Sequence, residues 1–213
     1  MKNFFGKVYK EYFKFPVYVL FHPFDGFDEL KREKRGKVSI AIVFVALFAI
    51  LRILRVQYTG FVVQDVNPEN INSLKEIIAT VLIIGLFVVG NWSVTTLMEG
   101  KGSLREIFIV TGYSLVPFIL IGFPTILLSN VITIEEVGLY NLIAIIGAIG
   151  TGWMLFMGIL NIHEYGLFKT ILAFFATIIS MAVMIFVALL FFDLIQQLIT
   201  FIKMIFEELS LRY

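Results

Sequence analysis

The stretch "TTLMEGKGSLREI", Thr95 to Ile107, decides how this chain is read. Two glycines flank a lysine, a serine follows, and long apolar runs stand on both sides. As a phosphate loop it would head a nucleotide-binding domain; as a turn it would join two helices. The P-loop pattern G-x-x-x-x-G-K-[ST] puts the hydroxyl residue directly after the lysine, on a loop that follows a strand. Here Gly102 follows Lys101, Thr95 stands where the first glycine is needed, and the preceding residues form an apolar run. The stretch therefore reads as a helix–helix connection in which Gly100 and Gly102 permit the reversal and Ser103 starts the next helix. One binding role stays open for Gly100, Lys101, Gly102 and Ser103. Free N–H groups at a helix start, beside a lysine, can hold an anion such as a lipid phosphate or a partner's acid.

The flanking runs set the fold class. Of 213 residues, 59% are hydrophobic and only 15% charged, where a soluble domain carries about a quarter charged. The apolar residues also cluster in long runs, as a hydrocarbon core about 30 Å thick requires of roughly twenty helical residues. The expectation is an all-α integral membrane protein with five transmembrane helices, at about Val38–Tyr58, Leu74–Val94, Ile107–Leu128, Leu139–Leu160 and Thr170–Phe192. Residues 1–37 form a lead, and residues 193–213 an amphipathic tail. The first long apolar run begins only at Val38, so no cleavable signal peptide is expected. Three span starts carry a Ser or Thr followed three residues later by Glu: Ser73 with Glu76, Ser103 with Glu106, and Thr133 with Glu136. Such capping boxes satisfy backbone donors that the first helical turn leaves free.

Lys and Arg set the orientation. Twelve fall on the side of the lead and of the second and fourth connections, and five on the other. The N-terminus is thus expected in the cytoplasm and the C-terminus outside. Arg52 and Arg55 sit within the last two turns of the first span, where long side chains snorkel to the interface. In the lead, "FFGKVYKEYFKFPVYVLF" (residues 4–21) mixes aromatics with lysines, as an interfacial amphipathic segment does. "HPFDGFDELKREKRGK" (residues 22–37) reads as a turn followed by a short charged helix with Asp28 and Arg32 at i, i+4. The competing reading is that these lysines only enforce topology. In the tail, Leu194, Leu198, Phe201, Ile205 and Leu209 recur at helical spacing. The fifth helix either continues there or turns to lie on the membrane surface.

Little in the chain points to chemistry. There is no cysteine, and the histidines are His22 and His163. "NIHEYG" lacks the H-E-x-x-H spacing, so a metal site would need carboxylates such as Glu99 to converge on His163. The expectation is an interfacial histidine at a helix end, with no metal, cofactor or catalytic residue, and hence not an enzyme. A net charge of +1 suggests no nucleic-acid partner. The spans carry no charged lane for ions at mid-membrane. Asn91, Thr95, Thr111, Tyr113 and Asn141 are candidates for a polar pathway or for core packing. Asn91, Trp92, His163 and Tyr165 form a candidate polar cluster. In the fourth span, Ala144, Ala148 and Gly152, like Gly147 and Thr151, are spaced for close helix packing within the chain or with a second copy. Pro117 and Pro124 each remove a donor and should kink the third span.

On that third span, Gly112-Tyr113-Ser114-Leu115 followed by Pro117 resembles the G-Y-[SC]-L-x-P signature of the Yip family (Ypt-interacting proteins). "HPFDGFDELK" before the first span, "NWSVTTLMEGKGS" after the second and "IHEY" after the fourth resemble its bacterial members. The resemblance covers most of the chain and implies a five-span domain with a cytoplasmic N-terminus, here in a bacterial cytoplasmic membrane. Eukaryotic members are linked to membrane traffic and Rab-type GTPases; this chain has "HPFDGF" where they carry D-L-[YW]-G-P. The functional expectation is a non-enzymatic scaffold that organises membrane lipids or a membrane or peripheral protein partner. A small permease or transporter accessory subunit is the alternative.

Overall fold

The computed structural model describes residues 14–64 and 72–211, all helix and connections, with no strand among them. Residues 4–13 of the aromatic lead and Arg212 of the charge count lie outside the described residues. Two short helices, α1 (Phe15–Phe21) and α2 (Pro23–Arg32), precede α3 (Val38–Tyr58) and α4 (Ser73–Leu97). The third span is two helices, α5 (Leu104–Ser114) and α6 (Val116–Ser129). A 3-10 turn at Ile134–Glu136 leads into α7 (Val137–His163), and α8 runs from Leu167 to Leu211. Five helical stretches are long and apolar enough to cross a membrane.

The α5–α6 span lies at the centre. Of its most apolar window 61% is buried, against 28% or less for the other four. Hydrocarbon supplies no hydrophobic drive between apolar helices, so close packing must hold them together. Gly112 provides it: a Cβ there would lie 2.7 Å from the Ala41 Cα, so α3 and α5 touch backbone to backbone. Tyr113, fully buried, then sits edge-on to Phe44 of α3 and Phe15 of α1, with ring centroids 5.5 and 6.1 Å away.

The expected kink is a break. Leu115 separates α5 from α6, and Pro117 stands in the first turn of α6. The proline cannot donate, and the next donor, the Phe118 N–H, bonds the Thr151 hydroxyl of α7 at 3.2 Å. Pro124 lies inside α6.

Two expectations are corrected. At the start of α4 the cap is Asn72, whose side chain accepts from the Leu74 and Lys75 N–H groups. Ser73 is already helical and accepts from Gln57, while Glu76 pairs with Arg52 of α3 at 2.8 Å and so is unavailable for a capping box. On α7 the packed face runs through Tyr140, Gly147, Met154 and Gly158. Ala148 and Gly152 are exposed, because α6 meets the side carrying Gly147 and Thr151. In the lead, Phe15, Val19, Phe27 and Leu30 are buried in the protein core, while Val17, Phe21 and Phe24 are exposed, so the α1–α2 hairpin packs on the bundle and also presents apolar side chains outward. The other two capping boxes form as expected, at Ser103–Glu106 and Thr133–Glu136.

Gly112→Ala should destabilise the detergent-solubilised protein by about 1–3 kcal/mol, the usual cost of overpacking. Gly85→Ala, where an added Cβ meets nothing within 4 Å, should be neutral or stabilising by up to about 1 kcal/mol. Equal thermal shifts for the two variants would refute the Gly112–Ala41 contact as the packing constraint.

Candidate functional site at the basic end of the bundle

The Gly100–Ser103 connection and the His163–Tyr165 corner are brought together by two helix ends of the same design. At the end of α4, the Gly100 N–H bonds the Thr95 carbonyl at 2.7 Å, with Glu99 left-handed at φ 58°. At the end of α7, the Tyr165 N–H bonds the Leu160 carbonyl at 3.0 Å, with Glu164 at φ 55°. Both have the Schellman form, which closes a helix on a left-handed residue and normally places glycine there. A non-glycine residue in that conformation costs roughly 1–2 kcal/mol. The third such residue, Lys34, follows α2. All the left-handed non-glycine residues among those described thus lie at one end of the bundle.

The two corners interlock. The His163 ring is buried, and its Nδ1 accepts the Gly102 N–H at 3.2 Å. That assigns the ring proton to Nε2, a buried atom without a hydrogen-bond partner among the described residues. A Cβ on Gly100 would lie 2.4 Å from His163 Nδ1, and one on Gly102 would lie 2.2 Å from the Ile162 side chain. Only glycines allow this docking. Tyr165 stacks on His163 with centroids 5.2 Å apart, and its hydroxyl donates to the Thr95 and Met98 carbonyls, each at 3.2 Å. Burial, aided by Glu99, raises the Tyr165 phenol above its ordinary value, which keeps it a donor. Lys169 lies over the Tyr165 ring, 4.6 Å from its centroid.

Glu164 ties in the lead. Its two carboxylate oxygens meet Lys31 of α2 at 2.9 Å and Lys101 at 2.5 Å. Lys31 also donates to the Ile162 carbonyl at 2.7 Å, capping the end of α7. Hydrogen bonds from Lys101 and then Lys31 hold the Glu164 carboxyl down at about 2. The anion-binding position considered for Lys101 is therefore already filled by an acid of the same chain. Ser103 is likewise engaged, since its hydroxyl accepts the Glu106 N–H and its own N–H bonds the Glu106 carboxylate.

The structure joins Gly100, Gly102, His163 and Tyr165 and sets Asn91 and Trp92 apart from them. Asn91 is buried and donates to Thr177 of α8 at 3.0 Å, and Trp92 is partly exposed. Among the described residues Asn91 is linked to the corner through Thr95, whose hydroxyl donates to the Asn91 carbonyl. Of the signature residues, Gly112 and Tyr113 hold the bundle centre, while Ser114 bonds back to the Val110 carbonyl at 2.8 Å. Leu115 and Pro117 make the helix break. Glu99 and His163 do not converge on a metal: no group of three or more potential ligands occurs among the described residues. Sequence reasoning missed Lys31. Its one signal was position, a turn after the buried Phe27 on the same helix face.

An all-helical bundle with five membrane-length apolar helices defines an integral, multi-pass membrane protein. The Yip1 domain model matches residues 17–195, and the chain belongs to that family. No curated protein and no solved structure matches it.

The Glu164 contacts carry a signed pH dependence. A depressed carboxyl contributes stability that is fully present above its unfolded value and lost as pH falls through the folded one. Wild type should therefore lose this contribution between about pH 4.5 and 2. Glu164→Gln should lack that component while the pH dependence above 5 stays unchanged, as read by thermal unfolding in detergent. Glu99→Gly should stabilise by about 1 kcal/mol through relief of the left-handed strain, and Glu164→Gly should not, because both lysines lose their partner.

Proposed function

We propose that this protein is a non-enzymatic membrane scaffold whose working face is the basic end of the bundle. The observation that supports this is the concentration there of left-handed residues, a buried histidine and a three-point lysine–carboxylate clasp. Backbone strain held by its surroundings gathers at sites of use. The clasp fixes the lead, the 98–103 loop and the 163–166 corner as one surface. Lys34 and Arg105 are exposed on it. That suits contact with anionic lipid headgroups or the acidic surface of a peripheral partner. The twelve-to-five split of basic residues supports placing this face in the cytoplasm and the end of α8 outside.

A permease would need the polar residues of the spans to line a path. Asn91 is bonded to Thr177, Thr95 to Asn91, and Thr111 to the Ile107 carbonyl, all as internal packing contacts. These bonds favour the scaffold reading.

Native mass spectrometry of the purified protein in mixed phosphatidylglycerol and phosphatidylcholine nanodiscs tests it. Retained lipid should be enriched in phosphatidylglycerol, and Lys34→Glu with Arg105→Glu, which leave the clasp in place, should lower the enrichment several-fold at unchanged helix content. Solute flux in liposomes that is abolished by altering Tyr113, without any headgroup preference, would sink the scaffold reading in favour of a permease.

A further inference from the structure

We infer that the bend of the α1–α2 hairpin, with its exposed Phe21 and Phe24, is inserted in the hydrocarbon of the leaflet at the basic end of the bundle. The arms of the hairpin are docked against the sides of the spans, below their ends. Phe15 of α1 meets the Tyr113 ring with centroids 6.1 Å apart. Tyr113 stands nine residues past the start of α5 at Leu104, about 13 Å along the helix. Phe27 of α2 packs where Gly158 has no side chain, 3.3 Å from a Cβ built there. Gly158 is five residues, about 7.5 Å, short of the end of α7 at His163. Val110 of α5 meets Gly158 at the same point, six residues past Leu104. Both spans thus place the hairpin beneath the ends of the helices.

The direction of α2 puts the bend deeper still. Four residues after Phe27, the Lys31 ammonium caps the Ile162 carbonyl, four residues after Gly158. The helix α2 therefore climbs alongside α7 toward the basic end, and its first turn, with Pro23 and Phe24, lies below the level of Gly158. Val17, Phe21 and Phe24, within a few residues of the bend, are 49%, 72% and 54% exposed. Residues 15–24 hold no Asp, Glu, Lys or Arg, whereas nine of residues 25–37 do. Charge begins where the chain turns back toward the headgroups. Asp25 follows Phe24 directly and limits the depth, so the apolar bend enters and α2 rises from it into the polar zone. His22, within the bend, lies against Tyr18 with ring centroids 5.1 Å apart, an amphipathic pair suited to the boundary itself.

Depth chooses the occupant. A water-soluble partner does not reach below the level of Gly158 without entering the bilayer. The side of α7 that faces hydrocarbon already carries an exposed tryptophan at a similar depth, Trp153, five residues before Gly158. The bend continues that lipid-facing surface. The hairpin is then held from two sides, by lipid at its apolar bend and by the Lys31–Glu164 contact at its charged end.

Tryptophan fluorescence measures the depth. The chain has two tryptophans, Trp92 and Trp153. With both changed to Phe, Phe21→Trp, Phe24→Trp and Arg32→Trp each give a single reporter at an exposed position, outside the packed core. In phosphatidylcholine liposomes, which carry no net headgroup charge and so leave the lipid preference proposed above out of the reading, the tip reporters should emit blue-shifted light. Lipid spin-labelled at acyl carbon 5 should quench them at least two-fold more than lipid labelled at carbon 12. Acrylamide should quench Arg32→Trp at least three-fold more than either tip reporter. A chain that keeps only Trp153 gives the lipid-exposed reference. Equal acrylamide quenching at positions 24 and 32, without quenching by labelled lipid, puts the bend in water and overturns the proposal. Protection of both tip reporters from acrylamide and from labelled lipid means that protein covers the bend, and overturns it as well.

Discussion

The backbone contact between Gly112 and Ala41 is the constraint on which the rest of the bundle depends. Lipid tails are as apolar as leucine, so burying one apolar helix against another gains little, and contact distance decides which helices stay together. The missing side chain at Gly112 lets α3 and α5 meet along their backbones. The neighbouring Tyr113 ring then has a fixed place between Phe44 and Phe15. That ring carries the packing from the membrane span out to the lead, because Phe15 belongs to α1. A side chain at position 112 would push α3 outward and withdraw the wall against which the α1–α2 hairpin is built.

The break after α5 transmits the same arrangement to α7. Pro117 cannot donate, and the Phe118 N–H that follows it is satisfied across the helix interface by Thr151. An unsatisfied donor is costly in hydrocarbon, so a proline in a membrane helix needs a polar neighbour at this place. The bond fixes α7 in rotation. It thereby aims Gly158 at Phe27 and Val110, and brings the His163 corner onto the Gly102 N–H. A backbone break in one helix thus sets where the basic end closes.

At that end, conformational strain and charge are coupled. Glu164 holds a left-handed backbone that glycine would adopt more easily, yet its side chain reaches two lysines from separate elements. The side-chain contacts offset the backbone cost. Glu99 occupies the equivalent place in the neighbouring turn and acts on the Tyr165 phenol from there. The result is a surface in which Lys31, the 98–103 loop and the 163–166 corner are tied together, while α8 leaves the bundle on the far side beyond Met184.

Much of this was legible in the sequence. The lengths of the apolar runs dictated five spans, since hydrocarbon thickness and helical rise leave no other reading, and Val38–Tyr58 falls where it was expected. The capped start at Ser103 was legible because the Ser–Glu pair acts within one turn. So was the connecting role of Gly100 to Ser103, because a lysine followed by glycine cannot form a P-loop. Contacts between distant segments were not legible. Asn72 in place of Ser73 as a cap depends on Arg52 claiming Glu76 from another helix. The face of α7 that packs depends on where α6 lies, and small residues on both sides of that helix looked alike. The site itself joins Gly102 to His163 and Glu164 to Lys31, separations of 61 and 133 residues that no local spacing encodes. Local backbone chemistry and hydrophobic length were determined by the sequence alone. Which helices touch, and which charge meets which, was decided only when the Gly112 contact and the Pro117 break fixed their relative positions.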